Sequence, residues 1–181
     1  MDGDDAPLAT LLRGGDRAGL RYSRGFDHRP GAVWRALTES ESLRHWLPTD
    51  IVGERRVGAQ ITLPFWPDTV EKYGLQDQAV LHGKVERWEP PEVFAWTWDT
   101  DELLFELEDV PASGDAPGRT LLTFTTWLGD GSPEALVDVG AGYHSCLDLL
   151  AELLDRGPGH STAEVDPALL EARYAAHFGS G

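Results

Sequence analysis

Glu92-Val-Phe-Ala-Trp-Thr-Trp-Asp-Thr-Asp-Glu-Leu-Leu-Phe-Glu-Leu-Glu-Asp109 holds the clearest periodicity in the chain. Phe94, Trp96 and Trp98 alternate with other residues, and so do Leu103, Phe105 and Leu107. Alternate side chains of a pleated strand share one face, so the two runs predict strands at 92–98 and 102–109, turned at Thr100-Asp101, with a buried face. Working outward, short alternating runs bounded by Gly, Pro and Asp recur at 49–54, 60–65, 78–88 and 119–128. Arg56-Val-Gly58, Pro90-Pro91 and Ala112 to Gly118 supply the intervening turns. A further run from Leu20 to Phe26 makes seven strands in all.

The period lengthens on either side of this block. Pro30 opens a segment in which Val33, Trp34 and Leu37, then Leu43, Trp46 and Leu47, recur at helical spacing before Pro48 stops it, predicting two short helices. Beyond Gly131, Leu136, Tyr143, Leu147, Leu150 and Leu154 follow three- and four-residue steps, capped by Ser132-Pro133-Glu134 and stopped by Gly157-Pro158. Gly159 to Val165 reads as a linker before a last helix, Ala168 to Phe178, striped by Leu170, Tyr174 and Phe178. The expected organisation is a flexible lead-in at 1–18, one domain at 19–157, and a linker with a short helix at 158–181.

The 181 residues hold 15 Lys and Arg against 31 Asp and Glu, a net charge of −16. Such a balance repels phosphate backbones, so nucleic acid is not an expected partner. A hydrophobic share of 41%, with 7 Trp, supplies one core. The single Cys146 cannot form an internal disulfide, no run approaches a membrane span, and Met1-Asp-Gly-Asp-Asp5 is acidic where a secretory leader is basic. The expected compartment is the cytoplasm, without membrane association.

A curved antiparallel sheet under a long amphipathic helix gives an α+β architecture, and the residues carry a resemblance that sharpens it. Gly25-Phe-Asp-His-Arg-Pro-Gly-Ala-Val-Trp-Arg-Ala-Leu-Thr-Glu-Ser-Glu-Ser-Leu-Arg-His-Trp-Leu47 looks like the opening of the START-like (SRPBCC) superfamily, in particular its branch similar to the activator of the Hsp-90 chaperone ATPase. Val85-Glu-Arg-Trp-Glu-Pro-Pro91, Leu104-Phe-Glu-Leu-Glu108, Arg119-Thr-Leu-Leu-Thr-Phe-Thr125 and Gly142-Tyr-His-Ser-Cys-Leu-Asp-Leu-Leu-Ala-Glu-Leu-Leu154 resemble the same branch in order and spacing. The resemblance implies a helix-grip (START-like, Bet v 1-like) fold: a seven-stranded sheet wrapped around a long C-terminal helix and enclosing a cavity. Its members include lipid carriers, cyclases, receptors and co-chaperones, so function rests on the site. Tyr143 stands where the family often has Trp, and so offers a hydroxyl.

The expected cavity wall comprises Trp96, Trp98, Phe105, Phe124, Tyr143 and Leu147, with His82 and His144 as polar groups and Trp66, between Pro64 and Pro67, on a loop near the mouth. Three readings follow. The first is a carrier or receptor of a small apolar molecule, needing no cofactor. The second is a co-chaperone-like module that binds a chaperone or another protein. The third is a cofactor-independent cyclase or hydrolase, in which His82 or His144 acts as a base and Tyr143 holds an oxygen. His28, His45, His160 and His177 lack the spacing of metal ligands, so no metal is expected. Cys146, inside an apolar helix, reads as a small hydrophobe of raised pKa. The tail helix permits a monomer or a homodimer by exchange.

Overall fold

The computed structural model describes residues 6–114, 117–159 and 166–179. Most of the expected linker and His160, with part of the expected turn at Ala112 to Gly118, lie outside these. The strands are β1 (Thr10–Gly14), β2 (Arg17–Phe26), β3 (Gln60–Pro64), β4 (Val80–Glu89), β5 (Val93–Trp98), β6 (Asp101–Val110) and β7 (Arg119–Trp127). The helices are α1 (Pro30–Thr38), α2 (Ser40–Leu43), α3 (Pro67–Tyr73), α4 (Pro133–Arg156) and α5 (Pro167–Gly179). All pairings are antiparallel, in the order β1-β2-β7-β6-β5-β4-β3. This is the helix-grip α+β fold that the resemblance implies.

The count of seven strands holds, but one member differs. Thr10–Gly14, within the expected lead-in, is a true strand paired with β2 through Thr10↔Arg21 to Gly14↔Arg17. The run at 49–54 makes only two isolated bridges, Thr49↔Phe65 and Val52↔Thr62, because Gly53 (φ 143°) turns the chain away from the sheet edge. The segment 67–73, to which the sequence reading assigns no element, forms α3, begun by Pro67 and ended by Gly74 at φ 65°.

Register lays the inner face out in two cross-strand rows. Trp88, Phe94, Phe105, Phe124 and Tyr22 form an aromatic row across β4, β5, β6, β7 and β2. Beside it run Val85, Trp96, Leu103, Thr126 and Leu20. The β5–β6 hairpin turns on Asp99 at φ 53°, a conformation Asp tolerates, with its amide donating to the His82 carbonyl at 3.0 Å. At Gly83 the Thr97 carbonyl oxygen comes within 1.8 Å of where a Cβ would stand, so only glycine fits there.

Helix α4 covers the inner face as expected. Ser132 caps it by accepting the Ala135 amide at 3.2 Å, Pro133 opens the first turn, and Gly157 ends it at φ 80°. Leu136, Ala141, Leu147 and Leu150 are buried beneath it. Helix α5 packs on α4: the Tyr174 ring lies over Gly140, where a Cβ would meet ring carbon Cδ1 at 2.9 Å. Among the described residues, no helix is long and apolar enough to cross a membrane.

Candidate functional site

Successive residues of a helix point about 100° apart, and Tyr143 and His144 accordingly part company. Tyr143 faces the sheet, its ring edge-on to Phe124 at 4.9 Å and to Tyr22 at 6.5 Å. Burial pushes its hydroxyl pKa well up, with the Asp101 charge adding to the effect, so it stays a neutral phenol. His144 turns away toward α5 and is buried there. His82 joins neither, which corrects its expected place among the polar groups of the wall. The register shift between Val85 and Arg87 adds one residue to β4, so the inward phase passes from Trp88 to Val85 and Gly83 and leaves His82 exposed on the outer face.

The aromatic residues expected at the wall make close ring contacts on the inner face. Phe105 and Phe124 stack at 4.3 Å, Trp46 meets Phe105 at 6.3 Å, and Trp96 stacks on half-buried Trp98 at 5.7 Å, which touches Phe65 at 6.0 Å. Phe105, Phe124, Trp96 and Leu147 are all buried. Trp66 stands at the entry to α3, where its indole donates to the Leu47 carbonyl at 2.8 Å and the Arg44 guanidinium lies 5.9 Å from its ring. Two clefts open on the surface away from this wall. One of about 170 Å³ lies between His45 and the Leu149 to Gly159 end of α4, and one of about 400 Å³ between Pro30, Pro91 and Leu107.

Polar atoms set the wall apart from an ordinary core. Buried donors and acceptors are nearly always paired. Among the described residues, five buried side-chain polar atoms lack a partner: Arg24 Nε, Thr49 Oγ1, Arg55 Nη1, Trp96 Nε1 and Thr126 Oγ1. The last four lie on or against the inner face along β5 to β7. Trp96 and Thr126 flank Leu103 in one row. Arg55 lies 5.9 Å from the Phe94 ring, which is 6.3 Å from Trp96. Thr49 bridges to Phe65, the neighbour of Trp98.

A second polar cluster sits under α5. Arg24 on β2 donates to the Pro7 and Ser23 carbonyls at 2.9 and 3.1 Å and reaches His144 Nδ1 at 3.4 Å. A guanidinium only donates, so Nδ1 accepts and the imidazole proton rests on Nε2, 3.5 Å from the Asp148 carboxylate. Burial, with Arg24 and Arg173 nearby, lowers His144 to about 4. Burial raises Asp148 to about 6. The Tyr174 hydroxyl completes the cluster, and Tyr22 donates to the Gly140 carbonyl at 3.0 Å. Burial also pushes the Cys146 thiol up to about 12, which keeps it from acting as a thiolate near neutral pH. Among the described residues, no group of three or more His, Cys, Asp or Glu is placed to hold a metal ion.

Alternation in the sequence pointed to the aromatic wall but missed Arg55, Thr49 and Thr126. Thr126 had a signal: it continues the inward series Leu122 and Phe124 of β7. Arg55 lies in a turn without periodicity and had none.

Comparison with known proteins agrees with this geometry. The family described as Activator of Hsp90 ATPase homolog 1-like protein matches residues 27–155. No curated protein matches the chain. Among solved structures, a conserved protein of unknown function from Enterococcus faecalis superposes with a TM-score of 0.74 at 21% identity, over 95% of this chain and 91% of that one. CalU16 from Micromonospora echinospora gives 0.65 at 19% identity, over 95% of each chain. The Aha1 dimer from Colwellia psychrerythraea gives 0.58 at 20% identity, over 78% of this chain and 98% of that one.

Proposed function

The chain belongs to the Activator of Hsp90 ATPase homolog 1-like family, and from that premise we propose that it binds a small, mainly apolar molecule between the inner face of the sheet and α4. One observation carries this reading: the Trp96 indole N–H and the Thr126 hydroxyl are buried in one row of an otherwise apolar face without partners. Each such group costs about 1–3 kcal/mol when left dry. A ligand lying across Leu103 would satisfy both, because positions two strands apart are about 10 Å from each other. Its entry parts the contacts among Trp96, Trp98 and Phe65, where Trp98 is only half buried. The wall supplies flat apolar surface, and no cofactor enters the reading.

The test is to release small molecules from protein purified from its own cells, identify them by mass spectrometry, and return them in a thermal shift assay. A single stoichiometric compound that raises Tm supports the reading. A chain that releases nothing, with a Tm unmoved by a broad library of apolar compounds, overturns it.

A co-chaperone-like role is the second reading. It rests on the family description and on exposed Val52, Tyr73 and Val80 near the β3 edge. Stimulation of the ATPase of the cell's own chaperone supports it, and its absence counts against it.

A further inference from the structure

We infer that the molecule bound at the inner face is an acid, whose carboxylate is taken by Arg55 Nη1 and Trp96 Nε1 while its apolar body runs over Leu103 toward Thr126. This rests on the binding reading above and adds the chemical class of the ligand.

Arg55 is the reason. It leaves the sheet edge just after Gly53 and turns inward, where Nη2 donates to the Thr38 carbonyl at 3.1 Å and the Ile51 carbonyl at 2.8 Å. These bonds close the C-terminal end of α1 and fix the plane of the guanidinium over Phe94. Nη1 is buried on that plane without a partner. Among the described residues, Arg55 forms no ion pair. Asp50, whose charge acts on it from nearby, accepts the Ser40 hydroxyl at 2.7 Å and the Ile51 amide at 2.8 Å on Oδ1 and lies beyond ion-pair distance of the guanidinium. Burial accordingly draws the Arg55 pKa down. Buried charges are costly unless paired, and fixed carbonyls do not neutralise one.

Two unpartnered donors border the Phe94 ring, Arg55 at 5.9 Å and Trp96 at 6.3 Å, and with one of them cationic they match a two-oxygen anion. A phosphate brings more acceptor oxygens and more charge than these donors satisfy, so the surplus would be desolvated at a cost. A neutral ligand would leave the guanidinium with the charge of Asp50 but without a directly bonded counter-ion. The net charge of −16 sharpens the point, since anions are repelled by the molecule as a whole and any that bind must be held by a local cation.

The experiment titrates the intact protein with 2-naphthoic acid, methyl 2-naphthoate and 2-naphthyl phosphate by calorimetry at neutral pH. The expected result is that the acid binds at least tenfold more tightly than the ester, and that added salt tightens it by screening the net charge. The variant Arg55→Gln brings the acid down to the affinity of the ester, while Arg55→Lys retains part of the preference. An ester that binds as well as the acid overturns the acid assignment and leaves the binding reading intact. Phosphate binding more tightly than carboxylate overturns the assignment too. If none of the three binds, the acid assignment falls, while the binding reading stands or falls on the release and library experiment above. The wild-type comparison of acid with ester stands even where a substitution at Arg55 unfolds the protein.

Discussion

The Tyr174 hydroxyl lies 3.0 Å from His144 Nδ1 and accepts the Ala9 amide at 3.0 Å, so one phenol joins the long helix to the segment before the first strand. Tyr174→Phe leaves the Ala9 amide buried and unpaired and His144 Nδ1 with only the longer Arg24 contact at 3.4 Å. The expected loss is about 1–3 kcal/mol of stability, measured by urea denaturation, together with faster proteolysis of α5. An unchanged denaturation midpoint would show that the bonds contribute nothing.

Gly140→Ala ought to favour helix by propensity, by about 1 kcal/mol. The opposite is expected, because the new Cβ would stand 2.9 Å from Tyr174 Cδ1 and lift α5 from its seat. A fall in Tm with increased cleavage near residue 166 confirms it, and a rise refutes the packing.

Acid should expose an opposition inside the same cluster. His144, ordinarily near 6.5 and here about 4, is held neutral, so its contribution to stability is lost as pH falls from 6.5 to 4. Asp148, ordinarily near 3.8 and here about 6, is favoured in its protonated form, so its contribution grows as pH falls from 6 to 3.8. The two windows overlap with opposite signs and nearly cancel. Asp148→Asn therefore makes the protein lose stability more steeply between pH 6.5 and 4 than the wild type does. Parallel pH profiles of Tm for the two proteins would disprove the opposition.

Gly83→Ala places a methyl 1.8 Å from the Thr97 carbonyl oxygen. Neither backbone can give way inside a paired sheet, and the expected cost is about 4 kcal/mol or more, enough to abolish folding or nearly so. Soluble, cooperative unfolding near the wild-type Tm would contradict the close approach.

Trp96→Phe removes a buried donor that has no partner. Without ligand the change in stability should stay within about 1 kcal/mol, as the lost indole packing is offset by the relieved desolvation. With a bound compound, the thermal shift should shrink. A shift identical to that of wild type would take Trp96 out of the site.

These sites were unequally legible in the sequence. Phe94, Trp96, Phe105 and Phe124 announce themselves because alternation survives wherever strands pair without interruption. His82 does not, because counting back from Trp88 in steps of two places it inward and the bulge at Val85 and Arg87 reverses that parity. Helix α3 buries no residue, so it has no apolar stripe for periodicity to find. Strand β1 is an edge with no buried residue and mostly exposed ones, and its identity comes from pairing with β2 rather than from pattern. The cluster of Arg24, His144 and Tyr174 joins positions 120 and 30 residues apart. No local signal reports such a meeting.

The last helix grips the Ala9 peptide from both sides, through Tyr174 on its amide and His177 Nε2 on its carbonyl at 3.0 Å. During synthesis residue 9 emerges 165 positions ahead of Tyr174. At about 5–20 residues per second, that interval lasts on the order of 10–30 s. The segment leading into β1 thus waits on the ribosome without its anchor until α5 is made. The edge of the sheet is written long before the helix that fastens it.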